Sequence, residues 1–147
     1  MRELPRKLSV DELAELFEGR TRLVELLAER DDPLGAAVDE VLVTIRHKDK
    51  VAALNAHPAI GQRAGLSARS AAEQGSDADP AVLDELARLN LAYEDRFGFR
   101  FVVFVNRRPK AEILEIMRER IQNPPGAELD TACRELVAIA RDRWTRT

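Results

Sequence analysis

The run Phe-Arg-Phe-Val-Val-Phe-Val at residues 99–105 decides between an all-α and a mixed fold. Taken alone, this apolar run favours a buried strand. No other segment of the chain is a strong strand candidate, and a strand without a partner leaves its backbone amides and carbonyls unsatisfied. We therefore interpret residues 99–105 as a buried extended segment or a distorted helix, whose backbone needs partners or a ligand.

On both sides of this run, apolar residues recur at helical spacing. Gly98 is expected to end a long helix that begins at Asp79-Pro80, and Gly19 to end the first helix. The other expected helix starts are the Ser9–Glu12 capping box, Thr21, Asp32 before Pro33, Asp49, Pro109, and the chain after the break Asn123-Pro-Pro-Gly126. The sequence predicts an all-α fold, a bundle of about seven helices with an extended apolar segment near residues 99–105.

Length and composition narrow the class of protein. A chain of 147 residues fits one domain, here residues 1–147, with a single core. The 23 basic and 26 acidic residues form no long block of either sign, which argues against nucleic-acid or membrane binding. Cys133 is the only cysteine, and the two histidines lack a metal-ligand pattern, so we expect no disulfide and no metal. Without a signal-peptide core or a membrane span, we expect a cytoplasmic protein.

His57 is the first candidate catalytic residue. Pro58 pushes the residue before it out of the helical region, so a helix ends at His57. The negative end of the helix dipole favours a protonated imidazole, which can supply a proton near neutral pH. A structural histidine satisfied by its neighbours is an equal alternative.

The segment Ser70-Ala-Ala-Glu73-Gln74 is the second candidate. It fits another capping box, but the helix that it would cap meets Gly75 within a few residues and has no apolar stripe to bury. The alternative is a short turn that presents a hydroxyl, a carboxylate and an amide to a small polar ligand.

Together these stretches resemble the 2-oxo-4-hydroxy-4-carboxy-5-ureidoimidazoline (OHCU) decarboxylase family. The matching residues, in chain order, are His57-Pro-Ala-Ile-Gly61, Ser70-Ala-Ala-Glu73-Gln74, Leu89-Asn90 with Tyr93, and Arg96-Phe-Gly-Phe-Arg-Phe101. Each motif alone is weak, but their order and spacing are specific, and the resemblance covers nearly the whole chain.

The resemblance implies a cofactor-free, all-α carboxy-lyase, usually a homodimer, that converts a small ureidoimidazoline to S-allantoin in urate degradation. It implies that His57 is the catalytic proton donor and that Glu73 is its partner. The residues that it places at the substrate are Pro58, Ser70, Gln74, Phe101, Val102, Val103, Phe104, Val105 and, in the last helix, Arg143.

The chain departs from the family pattern at three places, one of which is the missing aromatic residue after the first helix, where Arg22 and Leu23 stand. Ala59 stands where an acidic residue is frequent, and Arg100 stands where the family commonly has proline. These departures leave open a second hypothesis, a helical binding or scaffold protein that keeps the fold without catalysis. A third hypothesis, an unrelated hydrolase using His57 and Glu73, lacks a nucleophile motif.

Overall fold

The computed structural model describes residues 3–60 and 79–146, and within them the chain forms seven α-helices and no strand. The predicted all-α fold is confirmed. The helices are α1 (Val10–Phe17), α2 (Arg22–Ala28), α3 (Ala37–Thr44), α4 (His47–Asn55), α5 (Pro80–Phe97), α6 (Lys110–Arg120) and α7 (Pro125–Arg146).

Local signals explain several of these helix ends. The side chains of Ser9 and Glu12 each accept a hydrogen bond from the other residue's backbone N–H, which confirms the capping box of α1. Asp79 caps α5 by accepting from the N–H of Ala81 at 2.8 Å, with Pro80 in the first turn. Gly98 ends α5 with a φ of 79°, a left-handed conformation that glycine adopts without strain.

The predicted start of α3 at Asp32 and Pro33 is wrong, because the helix begins at Ala37. Asp32 has a φ of 51°, whereas a capping residue needs an extended backbone. Its N–H donates to the carbonyl of Arg6 at 2.9 Å, and its own carbonyl accepts from the N–H of Gly35 at 2.9 Å. The segment before α3 is therefore a turn that is hydrogen-bonded to the N-terminal segment at Arg6.

Three other helix ends also differ from the prediction. The left-handed residue that ends α1 is Glu18, with a φ of 66°, rather than Gly19. Helix α4 begins at His47, before the predicted cap Asp49, which lies in the first turn where an acidic side chain suits the helix dipole. Helix α7 begins inside the predicted break, with Pro125 as its first residue.

All seven helices contribute side chains to one hydrophobic core. Helix α1 packs on α2 and α7, α2 also on α3 and α4, α4 on α7, and α5 on α6. Cys133 is buried in this core, and burial raises the pKa of its thiol to about 11, as expected of an inert cysteine. None of the described helices is long and apolar enough to cross a bilayer.

The apolar run 99–105 forms neither helix nor strand, and side chains supply partners for part of its backbone. The N–H of Phe104 donates to Glu135 at 3.1 Å, and Arg108 Nε donates to the carbonyl of Val105 at 3.0 Å. Arg120 Nη1 donates to the carbonyl of Val102 at 2.8 Å. A segment without a neighbouring strand can therefore be buried here, because long side chains take the place of that strand.

Candidate active site

His57 lies just beyond the end of α4, and only 8% of its surface is exposed. Its backbone N–H donates to the carbonyl of Leu54 at 3.1 Å, which fixes the turn that follows the helix. No described group makes a hydrogen bond with its buried ring nitrogen Nδ1. A buried polar atom of this kind is one that a ligand can use.

The turn between α1 and α2 packs closely against this end of α4. A Cβ atom at Gly19 would lie 3.2 Å from the Cβ of Ala56, the neighbour of His57, so glycine allows a close approach that a larger residue would crowd. The same turn carries Glu18 in its left-handed conformation. Glu18, whose carboxylate acts on His57, therefore has a backbone conformation that non-glycine residues seldom adopt.

Arg143 joins the site from α7 and is 3% exposed. Its Nη1 donates to the carbonyl of Leu16 at 3.0 Å and lies 3.2 Å from a carboxylate oxygen of Glu18. Arg143 also acts electrostatically on His57. The other arginines of α7 contact groups elsewhere: Arg134 pairs with Asp39 and Asp130, Arg141 donates to the carbonyl of Leu34, and Arg146 pairs with Asp142.

Burial and the charges around His57 together determine the pKa of its imidazole. Burial is the largest effect and, with the Arg143 and Arg100 cations, lowers the pKa of His57 from 6.5 to about 4, while Glu18 acts in the opposite direction. The expectation of a protonated imidazole at neutral pH is therefore wrong for the described surroundings. Burial and the guanidinium groups of Arg143 and Arg100 outweigh the helix dipole here.

Residues 58–60, which follow His57, are also anchored. The side-chain amide of Asn90 on α5 donates to the carbonyl of Ile60 at 2.9 Å. Pro58 is half-buried and Ile60 is buried in the core. The two motifs that contain His57 and Asn90 are therefore in direct contact.

Arg100 connects residues 99–105 to the end of α4 and to His57. Its Nη1 donates to the carbonyl of His57 at 2.6 Å and to the carbonyl of Asn55 at 3.1 Å. The predicted substrate-binding residues that follow it have buried side chains, apart from the half-buried Phe104. These side chains belong to the core, so the segment offers a ligand mainly its backbone.

A buried ionic network around Glu128 packs against residues 99–105 from the core. Glu128 on α7 is fully buried and forms an ion pair with Arg120, whose Nε donates to its carboxylate at 2.8 Å. The hydroxyl of Tyr93 and the side-chain amide of Asn123 also donate to this carboxylate. Burial and the hydrogen bond to Glu128 both raise the pKa of Tyr93. Arg120 also lies over the ring of Phe101, 4.5 Å from its centroid.

The structure thus brings His57, Pro58, the segment 101–105 and Arg143 into one region of the fold. The predicted residues Ser70, Glu73 and Gln74 lie outside the described residues. Within residues 3–60 and 79–146, no group of three or more histidine, cysteine, aspartate and glutamate side chains is arranged to hold a metal ion.

Sequence reasoning missed Glu18 and the Glu128 network. One signal for Glu18 was available, because a carboxylate at a helix C-terminus faces the negative end of the dipole and needs a cation nearby. Nothing local identified that cation as Arg143, which is 125 positions further along the chain. Glu128 gave no signal at all, since its position in the first turn of α7 has an ordinary helix-dipole explanation.

A family model described as OHCU decarboxylase matches residues 2–145. The chain is 33% identical over 107 residues to the uric acid degradation bifunctional protein TTL of Arabidopsis thaliana, a match that covers 67% of this chain but 33% of that protein. It is 32% identical over 120 residues to the 2-oxo-4-hydroxy-4-carboxy-5-ureidoimidazoline decarboxylase of Haloferax volcanii, covering 76% of this chain and 69% of that one. The fold resembles a crystal structure of OHCU decarboxylase in the presence of (S)-allantoin, with a TM-score of 0.75 and 24% identity, covering 92% and 96% of the two chains.

Proposed function

The chain belongs to the OHCU decarboxylase family, and we propose that it decarboxylates 2-oxo-4-hydroxy-4-carboxy-5-ureidoimidazoline to (S)-allantoin in urate degradation. The observation that carries this proposal is the buried imidazole of His57 beside the buried guanidinium of Arg143. A proton donor and a cation for an anionic substrate are the two groups that this reaction needs.

The chemistry needs no cofactor. The bond between the ring carbon and the carboxylate breaks, carbon dioxide leaves, and the electron pair passes into the adjacent carbon–nitrogen double bond. One proton must then reach one face of the ring for a single enantiomer to form. His57 supplies that proton, and a positioned acid of this kind contributes ~10²–10⁴ in rate.

Because the pKa of His57 is low, nearby anions are needed to favour its protonated form. In its described surroundings His57 is neutral near pH 7, because its pKa is about 4. A substrate carboxylate beside Arg143 would offset that cation and raise the pKa of His57, as would the carboxylate of Glu73. Binding of the anionic substrate is therefore coupled to protonation of the acid that the reaction uses.

The remaining residues orient the substrate in this proposal. Arg143 is held by Glu18 and by the carbonyl of Leu16, so its guanidinium is fixed before the substrate arrives. Ser70, Gln74 and the backbone of residues 101–105 orient the ureido group, and Pro58 contacts the ring. By resemblance to the family, the protein acts as a homodimer in the cytoplasm, and Glu73 is the partner of His57.

The direct test is optical. Protein added to freshly generated OHCU should produce optically active allantoin faster than the spontaneous reaction, which yields both enantiomers. The rate should be unchanged after dialysis against a strong chelator, since the proposed mechanism uses no metal. A rate equal to the spontaneous one would instead favour the helical scaffold hypothesis.

Replacing Glu73 by glutamine separates its two possible roles. As a capping residue, glutamine keeps the size and the hydrogen bond, so the variant should lose only a few tenths of a kcal/mol of stability and keep its activity. As the partner of His57, the carboxylate favours the imidazolium, and its loss should lower kcat and move the His57 limb of the pH–rate profile to lower pH. We expect the second outcome; normal turnover with a lower melting temperature would contradict it.

A further inference from the structure

Arg100, where the chain departs from the family pattern, makes an unusual set of contacts with the end of α4. Its Nη1 donates to the carbonyls of His57 at 2.6 Å and Asn55 at 3.1 Å. Its backbone N–H donates to the side-chain oxygen of Asn55 at 2.9 Å. Its Nε lies 3.4 Å from a carboxylate oxygen of Glu94 on α5. Four contacts thus fix one half-buried side chain and its backbone.

These contacts fall where α4 needs donors. The carbonyl of Asn55 is one of the last of α4 and has no intrahelical partner, so the Arg100 guanidinium satisfies it and suits the negative end of the dipole. Hydrogen bonds from a charged donor are roughly twice as strong as neutral ones, and the short distance to His57 fits this class. The backbone from which the imidazole projects is therefore fastened to residues 99–105.

We propose that Arg100 is a positioning residue for His57, which fixes the imidazole relative to the substrate-binding segment 101–105. The proposal rests on the proposed decarboxylase function, because that function gives the imidazole its task. Misplacing a reacting group by about 1 Å can cost ~10²-fold in rate, so the position of this backbone matters. A proline at position 100, as the family commonly has, could provide neither the guanidinium nor the backbone N–H.

Arg100 also contributes to the electrostatics of the site. Among the described residues, the charged groups that act on His57 are Arg143 on α7, Glu18 after α1 and Arg100 itself, whose charge is shared with Glu94. Burial has the largest effect on the imidazole, followed by Arg143, and Arg100 adds to the lowering of its pKa. Loss of the Arg100 cation should therefore raise the pKa of His57 as well as loosen its backbone.

The variants are Arg100→Gln, which removes the charge, and Arg100→Lys, which keeps the charge but loses the planar fork of donors. Arg141→Gln is the matched control, because Arg141 is also half-buried and also donates to a main-chain carbonyl, that of Leu34, away from His57. Each variant is assayed for kcat over a range of pH. In parallel, NMR titration of isotope-labelled imidazoles follows the two histidines, His47 and His57, without any need for turnover.

We expect Arg100→Gln to lower kcat by at least about tenfold and to raise the titration midpoint of His57. Arg100→Lys should recover the wild-type midpoint in part, and Arg141→Gln should change neither quantity. An unchanged His57 midpoint, or an equal fall in kcat for Arg100→Gln and Arg141→Gln, would overturn the proposal. A wild type that does not turn over OHCU would refute the proposed function, and the NMR titration would still test Arg100 alone.

Discussion

His57→Gln should lower kcat by about 10²–10⁴, the range usually lost with a general acid. Glutamine keeps a polar side chain of similar length, whereas alanine would leave a cavity at a residue that is 8% exposed. His47→Gln is the matched control, because His47 is exposed at the start of α4. The measurement is kcat for optically active allantoin, with circular dichroism to verify folding. If His57→Gln kept more than about a tenth of wild-type activity, His57 would not be the general acid.

The same variant should change how stability depends on pH. The described surroundings lower the pKa of His57 from 6.5 to about 4 in the folded protein, so the unfolded chain binds the extra proton between these values. Stability falls with falling pH wherever the unfolded state binds more protons. The wild type should therefore lose stability relative to His57→Gln as pH falls through this window. Thermal denaturation at several pH values measures the difference.

Much of the fold could be predicted because its signals are local. The capping box at Ser9, the cap at Asp79 and the left-handed Gly98 each depend on residues within a few positions of one another. The fold class also followed from a general rule, since a lone apolar run cannot satisfy its backbone as a strand. The structure then showed which side chains, such as Arg120, act as its partners.

The rest depended on contacts between distant parts of the chain. Asp32 looks like a capping residue, but its bond to Arg6 keeps it in a turn, and sequence patterns do not reveal such a contact. The sequence places His57 at a helix end, but it does not show that Gly19 lets the α1–α2 turn approach Ala56, which helps to bury the site. The proton affinity of His57 therefore depends on tertiary structure that the pattern of residues around it cannot show.

Removing the buried carboxylate of Glu128 should destabilise the fold strongly, because its partners stay behind in the core. Glu128→Ala leaves the guanidinium of Arg120, 7% exposed, without its partner in the core. It also removes the acceptor for Tyr93 and Asn123. Breaking a buried ion pair by removing one partner typically costs about 3–5 kcal/mol, because the remaining charge stays buried.

Chemical denaturation of three variants would measure this effect. Glu115→Ala is the matched control, since Glu115 pairs with Arg118 on the exposed face of α6, and surface pairs contribute about 0–1 kcal/mol. Glu128→Gln keeps the volume and an acceptor but removes the charge, so its loss should fall between those of the two alanine variants. Arg120 also donates to the carbonyl of Val102, so Glu128→Ala should disturb residues 99–105 and lower activity where the protein remains folded. If Glu128→Ala cost no more than Glu115→Ala, the buried network would not be what holds residues 99–105 in place.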